Sequence, residues 1–184
     1  VYTRPEFSIA LLRGINVGGK NILPMKDLTA IFGAAGCTDV KTYIQSGNVI
    51  FRAEPKLMKN LAGDVSARIV AGFGIKAPVV LRTHGELKRT VADNPYLNTA
   101  ANEKALFVMF LAAQPDSGDA AALDPQRSPP DQFTVYDRDI YLNLANGAAT
   151  TKLTNQYFDS RLKTVSTARN WRTVLKLFEL TSPE

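Results

Sequence analysis

Cysteine, histidine and long apolar runs are what this 184-residue chain has least of. Its one cysteine, Cys37, excludes an intramolecular disulfide and any metal site built from several cysteines. Its one histidine, His84, excludes a poly-histidine site. Cysteine usage this sparse fits a reducing compartment. The first apolar run, Phe7 to Leu12 after Arg4 and Glu6, has only six residues. That is too short for a signal-peptide core or a membrane span. The expectation is a soluble, cytoplasmic protein with no membrane association, no metal and no cofactor.

Hydrophobic residues make up 45% of the chain, enough for one good core or two small ones. Charged residues are 21%, which argues against general disorder. The net charge of +5 is concentrated. Between Lys152 and Lys176, Arg161, Lys163, Arg169 and Arg172 join the two lysines against Asp159 alone. Such a segment is either a solvated helix face or a surface for phosphate-bearing partners.

Periodicity supplies an order of elements. Phe7 to Arg13 reads as a strand. Leu28, Ile31, Phe32 and Ala35 form a helical stripe within Met25 to Ala35, with Gly36 as the stop. Val40 to Gln45 and Asn48 to Arg52 read as strands around a two-residue Ser46-Gly47 turn. Leu57, Leu61, Val65 and Ile69 line a long helix ending near Gly72 and Gly74, and Ala77 to Leu81 is the next strand. The order β-α-β-β-α-β is the ferredoxin-like split βαβ motif. Thr83 and Glu86 then have capping-box spacing before a short helix that Asn94-Pro95 breaks. Ala105 to Leu111 is a strand, and Ala112 to Asp131 is mixed with room for one weak helix. A second hairpin runs from Phe133 to Tyr136 and from Ile140 to Leu144. Helices over Asn155 to Leu162 and Ala168 to Leu180 follow, the last with Trp171, Val174, Leu175 and Phe178 on its apolar stripe. The fold class expected is α+β: a ferredoxin-like first half, then a related β-(α)-β-β-α-α second half without close sequence repetition. The expected division is residues 1–83 and residues 84–184, the second subdomain packed closely on the first.

A Ser46-Gly47 turn pairs Gln45 with Asn48, Ile44 with Val49 and Tyr43 with Ile50. Val40, Thr42, Ile44, Val49 and Phe51 then face the helices. Lys41, Tyr43, Gln45, Asn48, Ile50 and Arg52 share a half-polar second face, either an interface or a binding surface.

"LLRGINVGGKN", Leu11 to Asn21, nearly spells the phosphate-loop pattern G-x-x-x-x-G-K-[ST]. Asn21 replaces the hydroxyl that holds Mg²⁺, and Pro24 delays the helix by about four residues. What remains is either a donor nest, with Arg13, Gly18, Gly19 and Lys20 around a carboxylate or phosphate, or a structural turn. Gln45 and Asn48 either offer amides to a ligand or follow from hairpin geometry. His84 reads as an exposed first-turn residue and Cys37 as a buried thiol.

"LLRGINVGGKN", "MKDL" (Met25 to Leu28), "TYIQSGNVIF" (Thr42 to Phe51), Asn94-Pro95 and "TARNWRTVLKL" (Thr167 to Leu177) together resemble a widespread bacterial family. It is the domain-of-unknown-function family numbered sixteen ninety-seven. The motifs run through almost the whole chain. The resemblance implies an α+β fold with ferredoxin-like parts and no assigned activity. This chain departs from the family's pattern at Ala168 and at Thr151-Lys152-Leu153. The positions carried over with the motifs are Arg13, Gly14, Asn16, Gly18, Gly19, Lys20, Asn21, Gln45, Ser46, Asn48, Arg169 and Asn170.

The functional expectation is a small binding protein for a phosphate- or carboxylate-bearing small molecule. Its site is formed by the Arg13–Asn21 loop and the Thr167–Asn170 helix start, with Gln45, Ser46, Asn48 and Lys152 as further candidates. The alternatives are an RNA- or DNA-binding module using the open sheet face, an enzyme of unknown type, and a structural or dimerising module. No catalytic residue, and no oligomeric state, follows from the sequence.

Overall fold

A computed structural model describes residues 4–183. The chain divides into two compact units, Val1–Lys88 with Leu177–Glu184, and Arg89–Lys176. The outer ends of the two expected subdomains, at Val1 and Glu184, lie outside the described residues.

The first unit contains β1 (Phe7–Leu12), α1 (Met25–Ala34), β2 (Thr38–Tyr43), β3 (Asn48–Arg52), α2 (Pro55–Phe73) and β4 (Val79–Thr83). Its sheet runs β2-β3-β1-β4, antiparallel throughout, which is the ferredoxin-like order. Alternation along the strands sends Ala10, Leu12, Val49, Phe51 and Val79 to the helical side. There they meet Leu28 and Phe32 of α1 and Leu61, Val65 and Ile69 of α2. The α2 stripe is fully buried at those three positions. Burial of this kind stabilises by about 1.5–3 kcal/mol per large aliphatic side chain. Pro55 opens α2, where its missing N–H costs nothing, and Gly74 closes it in the left-handed conformation. The fourth strand starts two residues later than Ala77 because Pro78 cannot donate to the ladder.

Helix α3 (His84–Ala92) follows directly, and its capping box is present. The Glu86 N–H donates to Thr83 Oγ1 at 3.2 Å, and Glu86 Oε2 accepts from the Thr83 N–H at 2.8 Å.

The second unit contains β5 (Leu106–Leu111), α4 (Ser117–Ala121), β6 (Gln132–Tyr136), β7 (Asp139–Asn143), α5 (Asn155–Leu162) and β8 (Ser166–Asn170). Helix α6 (Trp171–Thr181) is the last element of the described residues. The sheet order β6-β7-β5-β8 repeats the first, so the fold is α+β with two similar ferredoxin-like halves. One element differs from its sequence reading. The expected helix over Ala168 to Leu180 divides into strand β8 and helix α6, and the buried stripe of α6 is Trp171, Val174, Leu177 and Thr181. Arg169 and Asn170 therefore sit at a strand end.

The first hairpin also differs. Tyr43, not Gln45, pairs with Asn48, so the turn is the four residues from Ile44 to Gly47. Ile44 leaves the strand at φ 48° and is exposed, which removes it from the helical face. The shift is by two residues, so Thr42 still shares that face with Val49. The second face is buried at Ile9, Leu11, Asn48, Ile50, Val80 and Arg82. In the second unit Val108, Phe110 and Tyr141 are equally buried. Base stacking on an open sheet, as an RNA-recognition module does it, has no exposed platform at these positions. No helix among the described residues is long and apolar enough to cross a membrane.

Candidate functional site

In the first unit the two signature motifs interlock. The Asn16 side chain donates to Leu23 O at 2.9 Å and to Gln45 O at 3.2 Å, and its Oδ1 accepts from the Leu23 N–H at 2.8 Å. Asn21 donates to Gly14 O at 2.8 Å, bracing the loop from the other side. The Leu12 N–H donates to Gly47 O at 2.9 Å. Gly47 (φ +79) packs so tightly that a Cβ there would lie 2.9 Å from Leu12 Cβ and 3.2 Å from Leu12 O. Asn48 is fully buried, and its amide donates to Tyr43 O and to Ser46 Oγ within the turn. It is therefore held by the hairpin and is not paired with the exposed Gln45. Arg13 is half-buried at the end of β1, where its N–H donates to Pro78 O at 3.1 Å.

The tip beyond this scaffold is exposed. Lys20 donates its N–H to Val17 O at 3.0 Å, with Gly18 (φ 57°) and Gly19 (φ 73°) between them. Two successive left-handed residues make a type I′-like turn. A Cβ on either glycine would meet nothing within 4 Å, so these glycines serve backbone conformation alone. The N–H groups of Gly18 and Gly19 have no acceptor among the described residues. Helix α1 begins at Met25 behind Pro24, so its N-terminus does not follow Lys20 as a phosphate loop requires.

In the second unit the strand-to-helix joint at Asn170 has a different character. Asn170 Oδ1 accepts from the Thr173 N–H at 2.8 Å and caps α6. Beside it opens a cavity of about 520 Å³ lined by Asn102, Glu103, Lys104, Phe107, Asn170, Trp171 and Arg172. Neither Lys104 nor Arg172 has an ion-pair partner among the described residues. The α6 N-terminus adds uncapped N–H groups and the positive end of its dipole. Arg169 is not part of this opening. Its Nη1 donates to Thr167 Oγ1 and to Ala168 O, each at 2.8 Å. Burial pulls its guanidinium down to about 10, so it stays charged at neutral pH. Lys152 is exposed in the loop before α5, where its N–H donates to Ser128 Oγ and its carbonyl accepts from Arg127 Nε.

The basic segment therefore does not form one face. Lys163 pairs with Asp119 at 2.9 Å, Arg169 is buried, and Arg172 borders the cavity. Lys104 and Asn102, which begins the turn before β5, were not legible as site residues because no motif surrounds them. The two residues with the most conspicuous chemistry are structural. His84 is half-buried, stacks on Phe178 at 5.2 Å and meets Thr181 Oγ1 at 3.0 Å, which corrects its reading as an exposed residue. Burial, and then Asp64, push the Cys37 thiol up to about 11, so little reactive thiolate forms at neutral pH.

A model for proteins described as "Protein of unknown function (DUF1697)" matches residues 6–141, nearly three quarters of the chain. No curated protein matches. Among solved structures, the conserved bacterial protein SP0830 from Streptococcus pneumoniae is similar at a TM-score of 0.68 and 19% identity. The likeness covers 96% of this chain and 99% of that one, and at such identity it concerns the fold alone.

Proposed function

We propose that this chain, which belongs to the DUF1697 family of proteins of unknown function, is a cytoplasmic binding protein for a small anionic molecule. The site is in the second unit, at the start of α6. The observation that carries this reading is the cavity of about 520 Å³ that gathers Lys104, Arg172 and Asn170 above Phe107 and Trp171. Its volume lies within the range of about 300–1,000 Å³ usual for small-molecule sites. A carboxylate or phosphate takes the guanidinium of Arg172, the ammonium of Lys104 and the first-turn N–H groups of α6. The apolar remainder of the ligand lies on Phe107 and Trp171, and Glu103 accepts from a donor on the same molecule.

Trp171 is the only tryptophan in the chain, so its emission reports on the cavity directly. The test is a fluorescence titration of the intact protein with aromatic and aliphatic monocarboxylates and phosphate monoesters. A saturable change that weakens about tenfold or more in Arg172→Ala supports the site. No saturable response across the panel, or one untouched by Arg172→Ala, overturns it.

The tip of the Arg13–Asn21 loop supports a second, separate reading, because Gly18, Gly19 and Lys20 present donors that the protein does not use. Anion binding there is followed by backbone NMR shifts of Gly18 and Gly19, which Lys20→Ala abolishes. If acetate and phosphate leave those two resonances in place, the tip is a structural turn only.

A further inference from the structure

A second cleft lies on α5, built from residues that the reading above does not use. It encloses about 270 Å³ between Arg127, Thr154, Gln156, Tyr157, Ser160 and Arg161. Two guanidiniums share one aromatic ring: Arg127 Cζ is 4.1 Å from the Tyr157 centroid, and Arg161 Cζ is 5.9 Å from it. Arg161 follows Tyr157 by one helical turn, so both project from the same side of α5. The platform itself is fixed. The Tyr157 ring meets Phe158 edge-on at 5.1 Å, its hydroxyl accepts from the Asp124 N–H, and its own N–H donates to Thr154 Oγ1. Arg127 is aimed by its stacking and by the bond from Nε to Lys152 O at 3.2 Å. Its two terminal nitrogens have no hydrogen-bond acceptor among the described residues.

Neither arginine has a carboxylate partner among the described residues, and no acidic side chain lines the cleft. Two guanidiniums that line one cleft without a counter-charge repel each other, and the ring only partly offsets this. We propose that Arg127 and Arg161 form a clamp for a phosphate group, with the Gln156 amide and the Thr154 hydroxyl as further donors. A planar carboxylate satisfies one guanidinium fork. A tetrahedral dianion presents oxygens to both arginines and still has one for the neutral donors. Ser160 is not counted among these, because its hydroxyl already donates to Tyr157 O at 2.9 Å. The clamp stands whether or not the α6 cavity binds anything, since the two share no residue.

Inorganic phosphate and methyl phosphate, titrated into the intact protein, are the probes, read by NMR of the arginine Nε–H resonances. Saturable shifts of Arg127 and Arg161 are expected, and an equal ionic strength of sodium chloride neither reproduces nor reverses them. Arg161→Ala weakens binding about tenfold or more, Arg127→Lys also weakens it, and Arg172→Ala leaves it unchanged. Folding of each variant is checked by the Trp171 emission maximum and amide spectrum. A single-stranded RNA arm separates the sources of phosphate. RNA binding that survives Arg127→Lys combined with Arg161→Ala, with no shift from either small probe, overturns the clamp. So do shifts that sodium chloride abolishes equally.

Discussion

The two units have the same topology and the same register along their central strands β1 and β5, but spend their extra residues differently. Leu12 pairs with Val79 as Leu111 pairs with Ser166, and the Leu12 and Leu111 N–H groups both donate to the residue before the next strand, Gly47 and Arg138. Arg82-Thr83-His84 and Arg169-Asn170-Trp171 occupy equivalent strand-to-helix joints. In each, the arginine Nη1 donates to the preceding carbonyl, Leu81 O or Ala168 O. The second unit turns its hairpin in two residues, Asp137 and Arg138, where the first uses four. It also goes from β5 to α4 without anything like the Arg13–Pro24 loop. Both signature motifs of the first unit are thus additions at one end of a repeated sheet, and each braces the other. The lesson is that the most recognisable sequence is bound up with building this insertion. The α6 cavity and the α5 cleft belong to the second unit, which has the plainer sequence.

The largest expected effect tests whether the two cores are equally deep. Phe51 and Leu142 are equivalent, paired with Ser8 and Phe107. Phe51 touches Phe32 at 5.3 Å and is fully buried. Phe51→Ala is expected to cost about 3–5 kcal/mol and Leu142→Ala about 2–5 kcal/mol in urea unfolding. If Leu142→Ala costs more, the second unit holds the tighter core. Next comes Gly47→Ala, which combines a left-handed residue, costing about 1–2 kcal/mol, with overpacking of about 1–3 kcal/mol against Leu12. Gly18→Ala pays only the backbone part, because nothing surrounds it. Equal losses for the two would mean that the loop and hairpin do not depend on this close approach. Asn16→Ala removes three hydrogen bonds and is expected to cost about 2 kcal/mol. Asn21→Ala removes one exposed bond and costs less than about 1 kcal/mol.

The sequence was most legible where periodicity was strong. The α2 stripe, the strand Asn48–Arg52 and the helix Asn155–Leu162 have the expected positions because apolar spacing alone decides them. Strand β8 was missed because Ser166-Thr167-Ala168-Arg169-Asn170 carries no apolar alternation and runs straight into a strong helical stripe. The Ser46-Gly47 turn was misjudged because the buried Asn48 amide, bonded to Tyr43 O and Ser46 Oγ, closes a longer loop than the glycine alone suggests. The α6 cavity and the α5 cleft had no local signal. Their residues lie far apart in sequence, Lys104 from Arg172 and Arg127 from Arg161, and only the sheet and its crossing loops bring them together.

An effect of similarly small size bears most directly on the repeat. Thr83 and Asn170 are equivalent residues, and each caps the helix that follows its strand. Loss of a capping side chain costs about 1 kcal/mol. Thr83→Ala also frees Glu86 from a reciprocal box, whereas Asn170 acts alone. If the joints serve only to start helices, both alanine variants lose about 1 kcal/mol, and Thr83→Asn and Asn170→Thr each restore most of the stability. The α6 cavity makes Asn170 a lining residue as well as a cap. Asn170→Thr should then recover the urea midpoint but not the Trp171 fluorescence response to ligand, while Thr83→Asn recovers the midpoint and leaves that response intact. Full recovery of both properties in Asn170→Thr would reduce Asn170 to the cap that Thr83 already is.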